Sequence, residues 1–198
     1  MKAALATPAI GLALLATFLW YGSLHGTYAN AGLFYARQFG LDAAGVGVVL
    51  MLASLGSVAG NLLGGVLADR VGKRAVAAAS APLAALGVFT LTYFVPLVSG
   101  GLALAVGANL LWALAFSSGF SALAALVSEL NEKARGAVLA LNTSSVYAGS
   151  LAFTAASTAL LVMGGFPLLG VVSAVAALAV VPLVFRLGED HSGEGSSP

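Results

Sequence analysis

The sequence contains no cysteine and few charged residues. Its 198 residues include 8 Lys and Arg, 7 Asp and Glu and 2 His, so that charged residues make up 8% of the chain. Without cysteine there is no disulfide framework, thiolate metal site or cysteine nucleophile. The formal net charge of +1 argues against the basic face that a nucleic-acid partner requires. Neither a disulfide scaffold nor a nucleic-acid-binding domain is therefore expected.

Hydrophobic residues, at 60% of the chain, are too many for one soluble core. A helix that crosses the roughly 30 Å hydrocarbon layer needs about 20 apolar residues. Apolar runs bounded by charges and turn residues predict six spans: residues 7–34, 43–68, 75–94, 100–127, 136–161 and 167–185. Asp42 is predicted to cap the second helix. We expect residues 1–187 to form the transmembrane domain and residues 188–198 a disordered cytoplasmic tail.

The turn between the second and third predicted helices has a specific pattern. Residues 65–74 read Gly-Val-Leu-Ala-Asp-Arg-Val-Gly-Lys-Arg, which places polar residues and glycines between two long apolar runs. The spacing G-x-L-A-D-R-x-G-K-R resembles the signature of the major facilitator superfamily, where it connects helices two and three of a six-helix half. Residues 132–136 resemble the family's matching turn before helix five. The resemblance covers essentially the whole chain as one half, most like a carboxy-terminal half of efflux or sugar-permease members.

The resemblance implies an all-α membrane protein whose six helices form two inverted three-helix repeats. The spacing of the predicted helices agrees with this fold. The midpoints of helices one and four, two and five, and three and six are each separated by roughly 90 residues, and an odd three-helix unit repeated in tandem is inverted in the membrane.

The basic residues predict the orientation. All but Arg37 fall on one side of the membrane if there are six spans, and positive charge stays on the cytoplasmic side. These residues are Lys2, Arg70, Lys73, Arg74, Lys133, Arg135 and Arg186. We expect a multi-pass protein of a prokaryotic inner (plasma) membrane with both termini cytoplasmic.

Polar and aromatic side chains concentrate on helices one, two, four and five, whereas helices three and six resemble outer scaffold. Aromatic walls with a few polar groups are typical of a small-molecule site. We predict substrate-binding residues at Tyr21, His25, Tyr28, Asn109, Trp112, Phe116 and Tyr147. The alternative is that these side chains pack the bundle and that Asn, Ser and Thr residues join helices by hydrogen bonds.

His25 is the candidate for proton coupling. It is the one ionisable side chain, tyrosine phenols apart, that is placed well inside a predicted span, and intramembrane titratable groups often mark an ion or substrate path. An imidazole takes up and releases protons near physiological pH. The alternative is a neutral, hydrogen-bonded core imidazole. No carboxylate accompanies His25, whereas proton-coupled families of this fold commonly use a buried Asp or Glu.

The resemblance also implies a cytoplasmic gate. In the family, the carboxylate at the position of Asp69 holds the gate shut by meeting a helix amino terminus on the opposing half, and here helix five begins near Arg135. An anion is favoured at such a terminus. The gate motif comprises Gly65, Asp69, Arg70, Gly72, Lys73, Arg74 and Arg135. For Lys73, Arg74 and Lys133 the alternative role is to determine orientation alone.

One half implies a homodimer, because two halves related by an axis along the membrane normal form the superfamily's transporters. We expect alternating access by two identical bundles, with proton-linked efflux as the candidate mode of transport. The substrate is expected to be neutral or amphipathic. We expect the protein to have no cofactor, metal site or enzymatic activity. Two alternatives are a truncated or split half of a twelve-helix transporter, and a non-transporting membrane interaction protein that docks a partner on its Gly56, Gly60, Gly64 stripe.

Overall fold

The structure is a computed structural model that describes residues 7–98 and 101–187. The predicted tail, residues 188–198, lies outside the described residues. Within these ranges every regular element is helical. Five helices in this part of the chain are long and apolar enough to cross a membrane.

The helix bounds lie close to the predicted spans. Helix α1 (Pro8–Phe39) comprises Pro8–Tyr28 and Ala31–Phe39; α2 is Ala43–Val71; α3 (Lys73–Leu97) comprises Lys73–Phe89, a π-helical turn Thr90–Phe94 and Val95–Leu97; α4 is Leu102–Glu129; and α5 is Arg135–Arg186, preceded by the 3₁₀ turn Glu132–Ala134. The fifth and sixth predicted spans therefore both lie within α5.

Helix α5 is interrupted at Gly165, whose φ of 66° and ψ of −162° are not helical. Glycine adopts a positive φ readily, and the nearby Pro167 lacks the backbone N–H that a continuous helix would use. We call residues 135–164 α5N and residues 166–186 α5C. The interruption lets these two stretches pack against different neighbours.

The predicted cap of α2 is confirmed. The carboxylate of Asp42 accepts a hydrogen bond from the backbone N–H of Gly45 at 2.8 Å. This contact satisfies one of the donors left free at the start of a helix. At the other end of α2, Gly72 adopts a φ of 96° and directs the chain into α3.

Glycines on α2 face α4. A Cβ atom added to Gly60 would collide with the backbone of Leu114, and one added to Gly64 would collide with the backbone of Ser118. Because the residue numbers rise together along both helices, α2 and α4 run parallel. The Ser118 hydroxyl donates to the carbonyl oxygen of Gly60 at 2.9 Å. Close backbone approach at small residues is thus the role of this stripe, and α4 already occupies it.

Helices α1 and α5N form a second parallel pair. The Cα of Gly149 lies against the backbone of Phe18, while Gly22 and Gly26 lie against Phe153. A buried hydrogen bond of 2.7 Å joins the side chains of Thr17 and Asn142 nearer the start of both helices.

Helix α3 runs antiparallel to α4 and to α5C. Gly87 of α3 meets Trp112 of α4, and Thr92 near the end of α3 meets Gly170 near the start of α5C. The most apolar stretch of α3 is 56% buried, equal to that of α4, whereas that of α2 is 22% buried. Within this chain α3 therefore packs between α4 and α5C while α2 rests on α4, and the outer-scaffold role of helices three and six in an assembly stays a prediction.

Candidate functional site

Several predicted site residues form an aromatic cluster between α1 and α4. The Tyr21 ring stacks on His25 with centroids 5.5 Å apart, and it meets Phe116 and Phe120 edge-on at 5.6 Å and 5.1 Å. The Trp20 ring stacks on the Phe116 ring, with centroids 5.2 Å apart. Trp20 and Phe116 are buried, so that this part of the cluster is packed interior.

His25 is half-buried and interacts mainly with its own helix. Its Nδ1 lies 3.2 Å from the carbonyl oxygen of Tyr21, one turn earlier. The His25 carbonyl oxygen accepts a hydrogen bond of 3.3 Å from the Thr154 hydroxyl on α5N. Within the described residues no carboxylate forms an ion pair with this imidazole. This geometry leaves Nε2 as the ring atom available to a hydrogen-bond partner outside α1.

Tyr28, Asn109 and Trp112 line a separate cavity of about 80 Å³ between α1, α2 and α4. The other lining residues are Leu24, Ala53, Ser54, Ser57 and Ala113. Ser57 and Ala53 are absent from the predicted site. Ser54 and Ser57 lie three residues apart and so share one face of a helix. This spacing in the sequence indicates that Ser57 faces the same cavity as Ser54.

Asn109 is the most confined polar group of this cavity. Its side chain is 2% exposed, and its Nδ2 donates to no acceptor among the described residues. The amide interacts with the Tyr35 hydroxyl, whose single donor goes to the carbonyl oxygen of Ala105 at 3.3 Å, so that the phenol oxygen faces Asn109 as an acceptor. Nδ2 carries two N–H donors and Tyr35 can take at most one of them, so Asn109 retains an unused donor.

Tyr147 stands apart from both groups. It is 70% exposed on α5N, although it lies near enough to Tyr21 for an electrostatic interaction. The predicted stripe of Tyr21, His25 and Tyr28 also divides, because Tyr28 lines the cavity while the other two belong to the aromatic cluster. The structure thus distributes the predicted residues over a cavity, a cluster and an exposed face.

Larger grooves lie elsewhere and are apolar. One of about 310 Å³ runs between α2, α3 and α4 past Leu67 and Leu83, and another of about 330 Å³ separates α3 from α5C at Leu86 and Val175. Faces of this kind suit lipid chains, since they offer almost no polar group to orient a solute. The smaller polar cavity is the better candidate site.

The gate motif gathers at one end of the bundle. Lys73 forms an ion pair with Glu129 at the end of α4, and Arg74 Nη2 donates to the Leu187 carbonyl oxygen at 3.4 Å. Lys73 and Arg74 thus contact the ends of other helices, in addition to any effect on the orientation of the protein in the membrane. Asp69, Arg70 and Arg135 are exposed, and within the described ranges they form no ion pair.

These features define the class of the protein: a multi-pass helical membrane protein with a polar cavity among its helices. The family model of the Major Facilitator Superfamily matches residues 10–198, and the chain belongs to this superfamily. The match is to part of the superfamily's domain, consistent with a single half, so the resemblance carried by residues 65–74 is confirmed. The superfamily's members are transporters of small solutes across lipid bilayers. No curated protein matches the chain significantly.

Proposed function

We propose that this protein transports a small neutral or amphipathic solute by alternating access, as a homodimer of two six-helix halves. Both termini face the cytoplasm of a prokaryote. The observation that carries the proposal is the uncovered face of α2 and α5N on a chain of the Major Facilitator Superfamily.

Six spans are supported by the interruption of α5. Its 52 residues would extend about 80 Å as one straight helix, against the roughly 30 Å thickness of the hydrocarbon layer. The break at Gly165 divides this length into two stretches that can each cross the membrane, and α5C runs antiparallel to α3. Each stretch then counts as one of six spans.

Inverted repeats are supported by the two glycine-lined helix pairs. In two inverted repeats, α1 corresponds to α4 and α2 corresponds to α5N. The contact of α2 with α4 then corresponds to the contact of α5N with α1. Both pairs are parallel, and in both a helix backbone lies against glycine: Gly60 and Gly64 in one, Gly149 in the other.

The uncovered face supports the homodimer. Tyr147 and Leu151 of α5N are 70% and 72% exposed, and Leu62 of α2 is 69% exposed. Polar groups share these exposed surfaces: the hydroxyl of Tyr147, and the amide of Asn61, whose Oδ1 accepts a hydrogen bond from Ser121 at 2.9 Å and whose NH₂ faces outward. Polar groups that face lipid are costly unless satisfied, so a second half is the better cover for this face. A truncated or split half of a longer transporter would present the same face to a different half.

Cysteine cross-linking tests the assembly. The chain has no cysteine, so that each introduced thiol is unique. Leu62 and Leu151 lie at similar depth in the bundle. Contacts between neighbouring helices connect the two levels: Gly64 of α2 lies beside Ser118 of α4, Gly119 of α4 lies beside Trp20 of α1, and Gly22 of α1 lies beside Phe153 of α5N. Membranes in which a Leu62→Cys protein is co-expressed with a Leu151→Cys protein should yield cross-linked dimers.

The matched control pairs Leu62→Cys with Val175→Cys, which places a thiol at a 60% exposed position on α5C. This pair should remain uncross-linked. A strictly monomeric protein in native membranes, or equal cross-linking of both pairs, would contradict the homodimer. Purified dimers should also move radiolabelled neutral or amphipathic solutes into liposomes; inert dimers would instead indicate an interaction protein.

Proton linkage is a separate part of the proposal. If His25 carries the proton, His25→Gln should abolish flux driven by a pH gradient and leave counterflow of the same solute intact, because the glutamine retains hydrogen bonding but does not titrate in this range. Survival of both activities would assign His25 to packing.

A further inference from the structure

The small cavity between α1, α2 and α4 contains a donor without an acceptor. Asn109 is 2% exposed, and its Nδ2 has no hydrogen-bond partner among the described residues. Burying a donor without an acceptor is unfavourable, and native structures rarely tolerate it. The amide borders a cavity of about 80 Å³, where an incoming acceptor could reach it.

The cavity walls restrict the chemistry of that acceptor. None of the lining residues is charged: the walls are the aromatic rings of Tyr28 and Trp112, the aliphatic side chains of Leu24, Ala53 and Ala113, and the hydroxyls of Ser54 and Ser57. The Ser54 hydroxyl donates to the Leu50 carbonyl oxygen of its own helix at 2.9 Å. A carboxylate would lose its hydration here without a cation to compensate.

We propose that this cavity is a subsite for an uncharged oxygen acceptor, an amide or ketone carbonyl, that accepts a hydrogen bond from Asn109 Nδ2. The adjoining carbon atoms of the ligand lie against Trp112 and Ala53. The inference rests on the proposed transport function, because it assigns the transported solute a neutral carbonyl-bearing end. Tyr28 and Ser54, both exposed, mark the side from which the ligand enters.

Acrylamide is a suitable probe, because it carries a neutral amide carbonyl and quenches tryptophan fluorescence. The chain has 2 Trp residues, so that Trp20→Phe leaves Trp112 as the single fluorophore beside the cavity. In the purified, detergent-solubilised full chain, acrylamide should quench Trp112 with a saturable component, whereas iodide, an anion, should not. Trp112→Phe retains only Trp20, which should show no saturable quenching.

Two substitutions separate the subsite from general access to the protein. Asn109→Leu removes the donor and should weaken acrylamide binding about tenfold, the equivalent of one hydrogen bond. Ala53→Leu fills the cavity without altering Asn109 and should abolish the saturable component, so the test survives if Asn109→Leu fails to fold. Ala44→Leu makes the same change at an exposed position of α2 outside the cavity and should leave quenching unchanged.

Competition identifies the chemistry of the ligand. Acetamide should displace acrylamide, and acetate, which has nearly the same shape but carries a charge, should not. Displacement by acetate as readily as by acetamide would overturn the assignment. Unsaturable quenching in all variants would also overturn it, since the cavity would then hold water only.

The outcomes distinguish this subsite from the wider transport proposal. Saturable binding without solute flux in liposomes would retain the subsite and refute transport. Flux without saturable quenching would retain transport and place the solute elsewhere in the bundle.

Discussion

Small polar side chains join the helices at specific points. Thr17 donates to Asn142 at 2.7 Å, and Asn30 Nδ2 donates to Ser157 Oγ at 2.9 Å. Thr143, by contrast, donates to the Leu139 carbonyl oxygen of its own helix at 3.0 Å. The same residue types therefore have two roles, because a hydroxyl with no polar neighbour returns its hydrogen bond to the preceding turn. The hydrogen bonds between helices align α1 with α5N.

Thr17→Val tests this alignment. Valine keeps the shape of threonine but removes the donor, so that Asn142 Oδ1 loses its partner. We expect a loss of about 0.6 to 1.7 kcal/mol in the free energy of unfolding, measured by reversible unfolding in mixed detergent and SDS. Ser144→Ala, which removes an exposed hydroxyl bonded to Ala140 of its own helix, is the control and should change it little. Equal effects would show that the contact with Asn142 adds no stability.

At the scale of elements, glycine determines which helices approach closely. Gly56, Gly60 and Gly64 occur at every fourth position of α2 and so occupy one face. Each lies against α4, and any side chain at Gly60 would collide with the Leu114 backbone. Dispersion contacts between closely packed backbones are a main source of helix association in a bilayer, where lipid removes the hydrophobic driving force. The stripe therefore stabilises the α2–α4 pair.

Gly60→Ala should destabilise this pair. The added methyl group meets backbone atoms, which cannot move aside as a flexible side chain would, and overpacking of this kind typically costs about 1 to 3 kcal/mol. Unfolding in SDS measures the loss. Gly47→Ala is the matched control on the same helix, since nothing lies within 4 Å of its added Cβ. A Gly60→Ala protein as stable as the Gly47→Ala protein would disprove the packing role.

Across the whole molecule, charged side chains gather at the end that contains the turn between α2 and α3. Lys73 pairs with Glu129, and Arg74 reaches the carbonyl oxygen at Leu187. Asp69 and Arg135 remain exposed at this end, with no ion pair within the described part of the chain. In the proposed homodimer, the Asp69 carboxylate could therefore meet the amino terminus of α5N of the second subunit.

Asp69→Asn tests such a gate latch. The change keeps the shape of the side chain and removes its charge. Each latch should then stabilise the closed cytoplasmic gate by about 1 kcal/mol less, which lowers the ratio of closed to open gates about fivefold. A Val66→Cys reporter, one turn before Asp69 and 51% exposed, should then react faster with a membrane-impermeant maleimide applied to the cytoplasmic side. Arg186→Gln removes an exposed charge at the same end, outside the gate motif, and is the control. An unchanged labelling rate in Asp69→Asn would refute the latch.

Much of the architecture was predictable from local sequence. Apolar run lengths placed the helices within a few residues because the bilayer thickness sets their length, and Asp42 capped α2 as its side-chain chemistry predicts. The turn at residues 65–74 identified the superfamily. These features depend on residues that are neighbours along the chain, so that no knowledge of packing was needed.

The rotation of each helix about its axis was decided by the tertiary structure. In a membrane, the side of a helix that faces lipid and the side that faces another helix are both apolar, so hydrophobic periodicity does not separate them. Tyr28 thus joined Asn109 and Trp112 while Tyr21 joined Phe116, although Tyr21 and Tyr28 share a stripe in sequence. The unused donor of Asn109 likewise follows from contacts among three helices that are distant along the chain.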